Sequence, residues 1–405
     1  MRVLYISQSG MLEHLGQAQV LPYLRGLSRR GFEYDLLSFE LATADRDAIS
    51  DLRSSLRGDG IRWTPLVRRQ DPRLAVKVQE SAKGILRAFA TALARRPTIV
   101  HGRSYFATAI ADLVATVVPR ARLLFDCRGM LGDEYVDINY WTPDRIEYRM
   151  VKRFEQRAFR RAEGVVVLTN ALKEWIRGRT WLGPRTHIEA IPCCVDLERF
   201  RFDASARVRV REELGLGSRL VLVYSGSLGS FYREADVARF AALVKRRAVG
   251  EIRFLLLTGS SPERLVGPLE QAGLTKSEIV VRKVNPSEMY KYLSAGDLGI
   301  SFITSTFSKK GSSPTKVAEY LACGLPVVLN GDIGDQGELA VERDACAVFE
   351  GFSDQRLEAV AEQALALAAR PLEDRVAASR RVATTRFDVE RVGVSRYERL
   401  YRALA

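Results

Sequence analysis

Short apolar runs bounded by polar turns alternate with longer stretches of helical periodicity over nearly the whole chain, the pattern of parallel strands joined by crossover helices. A first series reads VLYIS (3–7), YDLLSF (34–39), TIVHG (98–102), RLLFD (122–126), VVVLT (165–169) and HIEAI (187–191). A second begins afresh at LVLVYSG (220–226) and continues through FLLLTG (254–259), IVVRKV (279–284), LGISFI (298–303), PVVLN (326–330) and CAVFE (346–350). The expectation is an α/β protein with two Rossmann-like domains facing across a cleft. Ligands of open parallel sheets lie beyond the carboxyl ends of the strands, which places the expected site in that cleft.

The break between the two series, PCCVDLERFRFDASARVRVREELGLGS (192–218), is charged, strand-poor and closed by Gly-rich turn chemistry. Domains are accordingly expected at 1–195 and 219–380, with an interdomain linker at 196–218. Helices are expected near 355–369 and 390–404. VSRYERLYRAL has the apolar spacing of a docking helix, so 381–405 is expected to pack back on the first domain. Residues 62–97 and 145–164 mix Arg and Lys with apolar residues at helical spacing. Such segments suit a membrane-surface helix, though packing helices whose Arg stems cover the edge of a core are the commoner case.

Composition narrows the classes. The 405 residues are 47% apolar and 27% charged, a globular balance without long disorder, and the length suits two domains. The opening MRVLYISQSGMLEHLGQ has too short an apolar run for a secretion signal and reads as a first strand. No run approaches the roughly 18 apolar residues of a membrane span, so a cytoplasmic location is expected, with the inner face of the membrane as an option. Cys127, Cys193, Cys194, Cys323 and Cys346 show neither zinc spacing nor a disulfide framework. With only His14, His101 and His187, a histidine metal centre is not expected, and neither metal nor cofactor is assigned. The net charge of +13 suits phosphates or an anionic membrane surface; nucleic acid is disfavoured because no zinc-finger or aromatic RNA-binding signature accompanies it.

One stretch concentrates chemistry: GSSPTKVAEYLACGLPVVLN (311–330). Ser313 suits an N-cap, Pro314 the first helical position and Gly324 the stop. The helix start, with the hydroxyls of Ser312, Ser313 and Thr315 and the charge of Lys316, makes a phosphate site. Val317, Ala318, Leu321 and Ala322 form the expected buried side, with Lys316, Glu319, Tyr320 and Cys323 on another face. Glu319, one turn on, can accept two hydrogen bonds from vicinal ribose hydroxyls; the alternative is an ordinary surface pair of Lys316 and Glu319. In YSGSLGSFY (224–232), Gly226 and Gly229 permit a tight turn that can form a second phosphate wall with Ser227, Leu228 and Tyr232. The first domain repeats the arrangement, with Gly10 and Gly16 bracketing a loop that leads into a helix.

SSPTKVAEYLACGLPVV resembles the donor-site signature of glycosyltransferase family 4 and its relatives of the GT-B fold. HIEAIPCCVDLERF is similar to the segment entering their second domain, and YSGSLGSFY, the N-terminal strand and loop, and RFDVERVGVSRYERLYRAL extend the likeness over essentially the whole chain. The resemblance implies transfer of a sugar from a nucleotide donor to a glycan or lipid-linked cell-envelope acceptor, with retention of configuration and without a metal. It implies the ribose-binding role for Glu319. The chain departs from the pattern at Gly311, where the family has the earlier Glu of a pair, and at Ser227 and Tyr232, where it has an Arg and a Lys clamping the donor diphosphate. Either Lys316 and the Ser-Ser-Pro-Thr helix start take over the phosphates, or the donor has fewer of them, as a CMP-sugar has, or activity is lost and the chain is a scaffold or partner. A nucleotide-sugar epimerase or hydrolase is a further alternative. Relatives often place a His near the donor sugar; the candidates for catalysis here are Asp126, Arg128 and Glu134 in FDCRGMLGDEY and His101 in VHGRS. Asp126 can serve as a base or orient the acceptor and Arg128 can face an anion; a structural Asp126–Arg128 pair is the alternative, and a buried core position the alternative for His101.

Overall fold

A computed structural model describes residues 1–71 and 73–405. The chain forms two compact units, Met1–Pro192 with Val389–Ala405, and Cys193–Asp388. Each is a parallel sheet covered by helices, the α/β Rossmann-like arrangement of GT-B proteins.

In the first unit, β1 (Arg2–Ser7), β2 (Glu33–Leu41), β3 (Ile61–Arg68), β4 (Ile99–Arg103), β5 (Arg122–Asp126), β6 (Gly164–Val167) and β7 (His187–Ala190) form a sheet of order β3-β2-β1-β4-β5-β6-β7. All its pairs are parallel. Crossover helices cover both faces of the sheet, which explains why β1 and β4–β6 are buried almost end to end. β3 departs from the sequence expectation, which read its residues as part of a helical stretch. Its apolar residues are interleaved with Arg62, Pro65 and Arg68, and as the edge strand it has one side free, where Pro is tolerated. The remainder of that stretch is the helix Leu74–Arg95, and 145–164 is the helix Ile146–Arg161.

The second unit contains β8 (Leu220–Ser225), β9 (Ile252–Leu257), β10 (Ile279–Arg282), β11 (Leu298–Ser301), β12 (Val327–Asn330) and β13 (Cys346–Phe349), in the order β10-β9-β8-β11-β12-β13 and again parallel throughout. The strand order reverses beside β8 and β11, so their carboxyl ends flank a crevice from which crossovers leave in opposite directions.

The segment 196–218, read as a linker, belongs to this second unit. Its helix Ala204–Glu213 is capped by Asp203, which accepts from the Ala206 N–H at 2.8 Å. It is anchored by Arg207 and Arg211, which reach Asp297 at 2.6 and 3.2 Å. Arg375 adds a third guanidinium at 3.2 Å, and the Val221 N–H donates to the same carboxylate at 2.9 Å. Burial alone would raise the Asp297 carboxyl; Arg207 and Arg211 overcome it and hold the pKa below the ordinary range. The first unit is completed by the end of the chain, where Tyr397 donates to Asp126 Oδ2 at 3.0 Å and the Tyr401 hydroxyl lies 2.7 Å from His101 Nδ1.

Removing the Asp297 carboxylate leaves three guanidiniums and a buried N–H facing one another. Asp297→Ala is expected to cost about 3–5 kcal/mol, read as a lower urea midpoint with an unchanged slope.

Candidate active site

In the second unit the chain leaves β8 through a turn in which Gly226 and Gly229 have φ of +100° and +95°, values that favour glycine. The turn is held from below. The Thr258 hydroxyl donates to the Gly226 carbonyl at 2.8 Å and the Tyr224 hydroxyl to the Ser227 carbonyl at 2.9 Å. Leu228 N–H donates to Ser260 Oγ at 3.3 Å. Ser227 itself is exposed at the tip.

The helix beside this turn runs Thr315–Ala322, with Pro314 at the N-cap. It starts one residue later than the sequence suggests, because Ser313 does not cap it: its hydroxyl accepts the Cys193 N–H at 3.1 Å. Ser312 and Thr315 are half-buried at the same end. The helix is not two-faced, since every residue from Lys316 to Ala322 is buried. Lys316 and Glu319, at 6% and 8% exposure, are therefore not an exposed surface pair.

Lys316 Nζ sits 4.1 Å from the centre of the Tyr224 ring and 4.3 Å from that of Tyr232. It comes within 3.6 Å of where a Cβ on Gly226 would stand, and it has no hydrogen-bond partner among the described residues. The two ring faces offset part of the desolvation of the ammonium, but not all of it. Burial lowers the Lys316 pKa from 10.5 to about 7, with the charges of Glu319 and Glu234 pulling it back up. Burial likewise raises the Glu319 pKa from 4.5 to about 7, against the pull of Arg199 and Lys316. Behind them the Tyr320 hydroxyl accepts from the Ser225 N–H at 2.7 Å and lies 3.0 Å from Ser225 Oγ, tying the helix to the end of β8.

Two contributors escaped the sequence reading. Tyr224 ends a strand that reads simply as apolar, and only its neighbour across the sheet shows what its ring faces. Arg264, in the helix Glu263–Gln271, lays its guanidinium 3.1 Å from the Cβ position of Gly229. Each glycine of the turn thus has a cation against it, one from 90 residues downstream and one from the following crossover. A turn with two cations and a helix start beside it is suited to a pair of phosphates.

The first unit has its own loop beyond β1. Glu40, at the end of β2 and 2% exposed, accepts the Met11 and Leu12 N–H groups at 2.7 and 3.2 Å and the Ser38 hydroxyl at 2.6 Å. Gly16 closes the loop: a Cβ there would fall 2.2 Å from the Gly10 carbonyl oxygen. Glu40 was not singled out by sequence, where it is one more acid after a strand.

Asp126, Arg128 and His101 lie together at the carboxyl edge of this sheet. His101 Nε2 and Arg128 Nη1 are each 3.5 Å from the Asp126 carboxylate, and Arg103 is its register partner on β4. Asp126 and His101 are fully enclosed and engaged by Tyr397 and Tyr401, so in this arrangement they seat the end of the chain. Burial would raise the Asp126 carboxyl, yet Arg128 and His101 hold it far below the ordinary range; burial lowers the His101 pKa. Arg128 retains some exposure, and Glu134 lies against Gly129. No cluster of His, Cys, Asp or Glu that could hold a metal occurs among the described residues.

The two parallel-sheet units have the fold of GT-B proteins. Residues 16–194 match the model of the glycosyl transferase 4-like domain family. The fold is similar over 100% of the chain to sucrose-phosphate synthase from Thermosynechococcus elongatus (TM-score 0.72, 15% identity, 98% of that chain). It is similar over 99% to HepE of Anabaena solved with UDP and glucose (0.68, 16%, 100% of that chain). It is similar over 100% to the catalytic domain of starch synthase IV from Arabidopsis thaliana bound to ADP and acarbose (0.66, 13%, 99% of that chain). No curated protein matches the sequence.

The Lys316–Glu319 pair makes stability depend on pH with opposite signs on either side of neutrality. The raised Glu319 pKa contributes stability that is present below 4.5 and lost as pH rises through about 7. The lowered Lys316 pKa contributes stability that is present above 10.5 and lost as pH falls through about 7. Relative to the Lys316→Met/Glu319→Gln double variant, the wild type is expected to be least stable near pH 7, recovering toward both acid and alkaline pH in denaturant titrations.

Proposed function

We propose that this protein is a glycosyltransferase that takes a sugar from a nucleoside diphosphate donor. The second unit seats the nucleotide, with Glu319 receiving the ribose hydroxyls and Lys316 and Arg264 the diphosphate. The observation that carries the reading is the Lys316 ammonium, buried between Tyr224 and Tyr232 against Gly226 without a hydrogen-bond partner. A buried cation left unpaired is costly, and a phosphate oxygen arriving at the turn would relieve that cost. HepE holding UDP and starch synthase IV holding ADP support a nucleotide in this fold.

Two cations on one turn favour a diphosphate over the single phosphate of a CMP-sugar, and they answer the loss of the family's Arg and Lys at Ser227 and Tyr232. The leaving diphosphate carries the charge that develops as the glycosidic bond breaks, so fixed cations aimed at it assist departure. Transfer to a glycan or lipid-linked cell-envelope acceptor, with retention and without a metal, completes the proposal on the strength of the family resemblance. A scaffold role, the reading from a different class, predicts no nucleotide affinity at all.

Titration calorimetry with UDP, GDP, dTDP, ADP and CMP tests it. One nucleoside diphosphate is expected to bind. Glu319→Ala and Lys316→Ala are expected to lose that binding with the fold intact, and Arg264→Ala to weaken it by about tenfold or more, as for a lost charge-assisted hydrogen bond. Binding at pH 8 should also take up a proton, because the phosphates favour the charged form of Lys316; the observed heat would then vary with the buffer's ionisation enthalpy. Preference for CMP would overturn the diphosphate assignment, and no binding by any nucleotide would leave the scaffold role.

A further inference from the structure

The charge of the chain is divided unevenly. The first unit holds 35 Lys and Arg against 23 Asp and Glu, a net +12, whereas the second holds 27 against 26, a net +1. The excess that gives the protein its basic character therefore belongs to one unit, and it is not the unit with the Lys316 site.

That unit also exposes aliphatic surface. On the helix Leu74–Arg95, Val78, Leu86 and Leu93 are 58%, 70% and 63% exposed, and with the exposed Ala82 and Ala90 they follow one face of the helix. Ala88 and Ala92 of the same helix enter the core, with Ile85 and Phe89 partly buried against it, so the exposed stripe extends the apolar side of the helix beyond what the core covers. Lys83 and Arg87 are exposed along its flank. The helix carries one acid, Glu80, against Lys77, Lys83, Arg87 and Arg95.

The neighbouring helices expose apolar residues as well. The helices Ser104–Val117 and Ile146–Arg161 pack beside Leu74–Arg95 in turn over the same core. They expose Leu113 and Val117, and Ile146 and Met150, the last two among the exposed Arg149 and Arg153.

We infer that the outer face of these three helices docks on an anionic lipid bilayer. An amphipathic helix with cations beside an aliphatic stripe rests in the headgroup boundary with its apolar side inward, and each cation near an anionic leaflet adds attraction. The attachment is superficial, since no described helix is long and apolar enough to cross a membrane. Nucleic acid fits the face poorly: none of its large exposed apolar residues among those described is aromatic, and single strands are held by stacking on aromatic rings. A second copy fits poorly too, because two such faces would press like charges together. The surface is independent of the nucleotide site, and it would bring the enzyme to an acceptor carried on lipid.

Co-sedimentation of the full chain with vesicles of phosphatidylcholine, with and without phosphatidylglycerol, tests the inference. Binding is expected with phosphatidylglycerol, falling as salt rises. It should drop by about tenfold or more in Lys83→Glu/Arg87→Glu, at roughly a factor of ten for every one or two charges, and fall comparably in Leu86→Ser/Leu93→Ser. All four positions are exposed, so both variants should keep the wild-type unfolding curve and nucleotide affinity, which separates failure of this surface from failure of the donor site. Absence of salt-sensitive binding by the wild type, or wild-type binding by both variants, would overturn it. So would a dimer, seen by sedimentation velocity, that Leu86→Ser/Leu93→Ser breaks while vesicles go unbound.

Discussion

Parallel pairing of every strand is the constraint from which the site follows. A parallel partner is reached only through a crossover, so all the carboxyl ends of a sheet emerge at one edge and all the turns that follow them meet there. In the second unit this places the end of β8, with Tyr224 and the Gly226 turn, beside the crossover that follows β11, with Lys316 and Glu319. Residues separated by about ninety positions in sequence become neighbours, and the Tyr320–Ser225 hydrogen bonds fasten them there.

The treatment of buried charge in this unit is uneven, and the unevenness is informative. Asp297 at the opposite end of β11 is buried with three guanidiniums and a backbone N–H, and nothing about it is left unpaired at its carboxylate. Lys316 is buried nearly as deeply, yet among the described residues it meets two ring faces and the charges of Glu319 and Glu234 without a hydrogen bond. Asp297 is satisfied by several partners, whereas Lys316 is left open at a glycine turn. Unpaired burial of that kind is characteristic of sites built to receive a charge from outside.

Asp126 shows the reverse case. From sequence, a carboxylate at the carboxyl end of a parallel strand has the position of a catalytic group; in the fold it is closed over by Tyr397 and held by His101 and Arg128. The partner that encloses it lies 271 residues away, which no local pattern reveals. Arg264 escaped for a similar reason: it is an exposed arginine in an ordinary surface helix until the turn of Gly229 is folded against it.

Strand periodicity determined the two sheets, because a strand buried on both faces must be apolar along its length, and twelve such runs stand out between polar turns. The edge strand β3 escaped that signal because one side of it needs no apolar cover and no partner for its Pro. Glycine spacing and the Ser-Ser-Pro-Thr-Lys start determined the turn and the helix start on which the proposed phosphate site rests, since positive φ and a free helix end are properties of single residues. What tertiary structure alone decided was burial and partnership. Lys316 and Glu319 became a buried pair near neutrality, Ser313 was taken by Cys193, Asp126 was sealed by the returning chain, and the segment 196–218 joined the second unit through Asp297. Each outcome depends on which distant groups arrive and how much water they exclude, and neither quantity is written in local spacing.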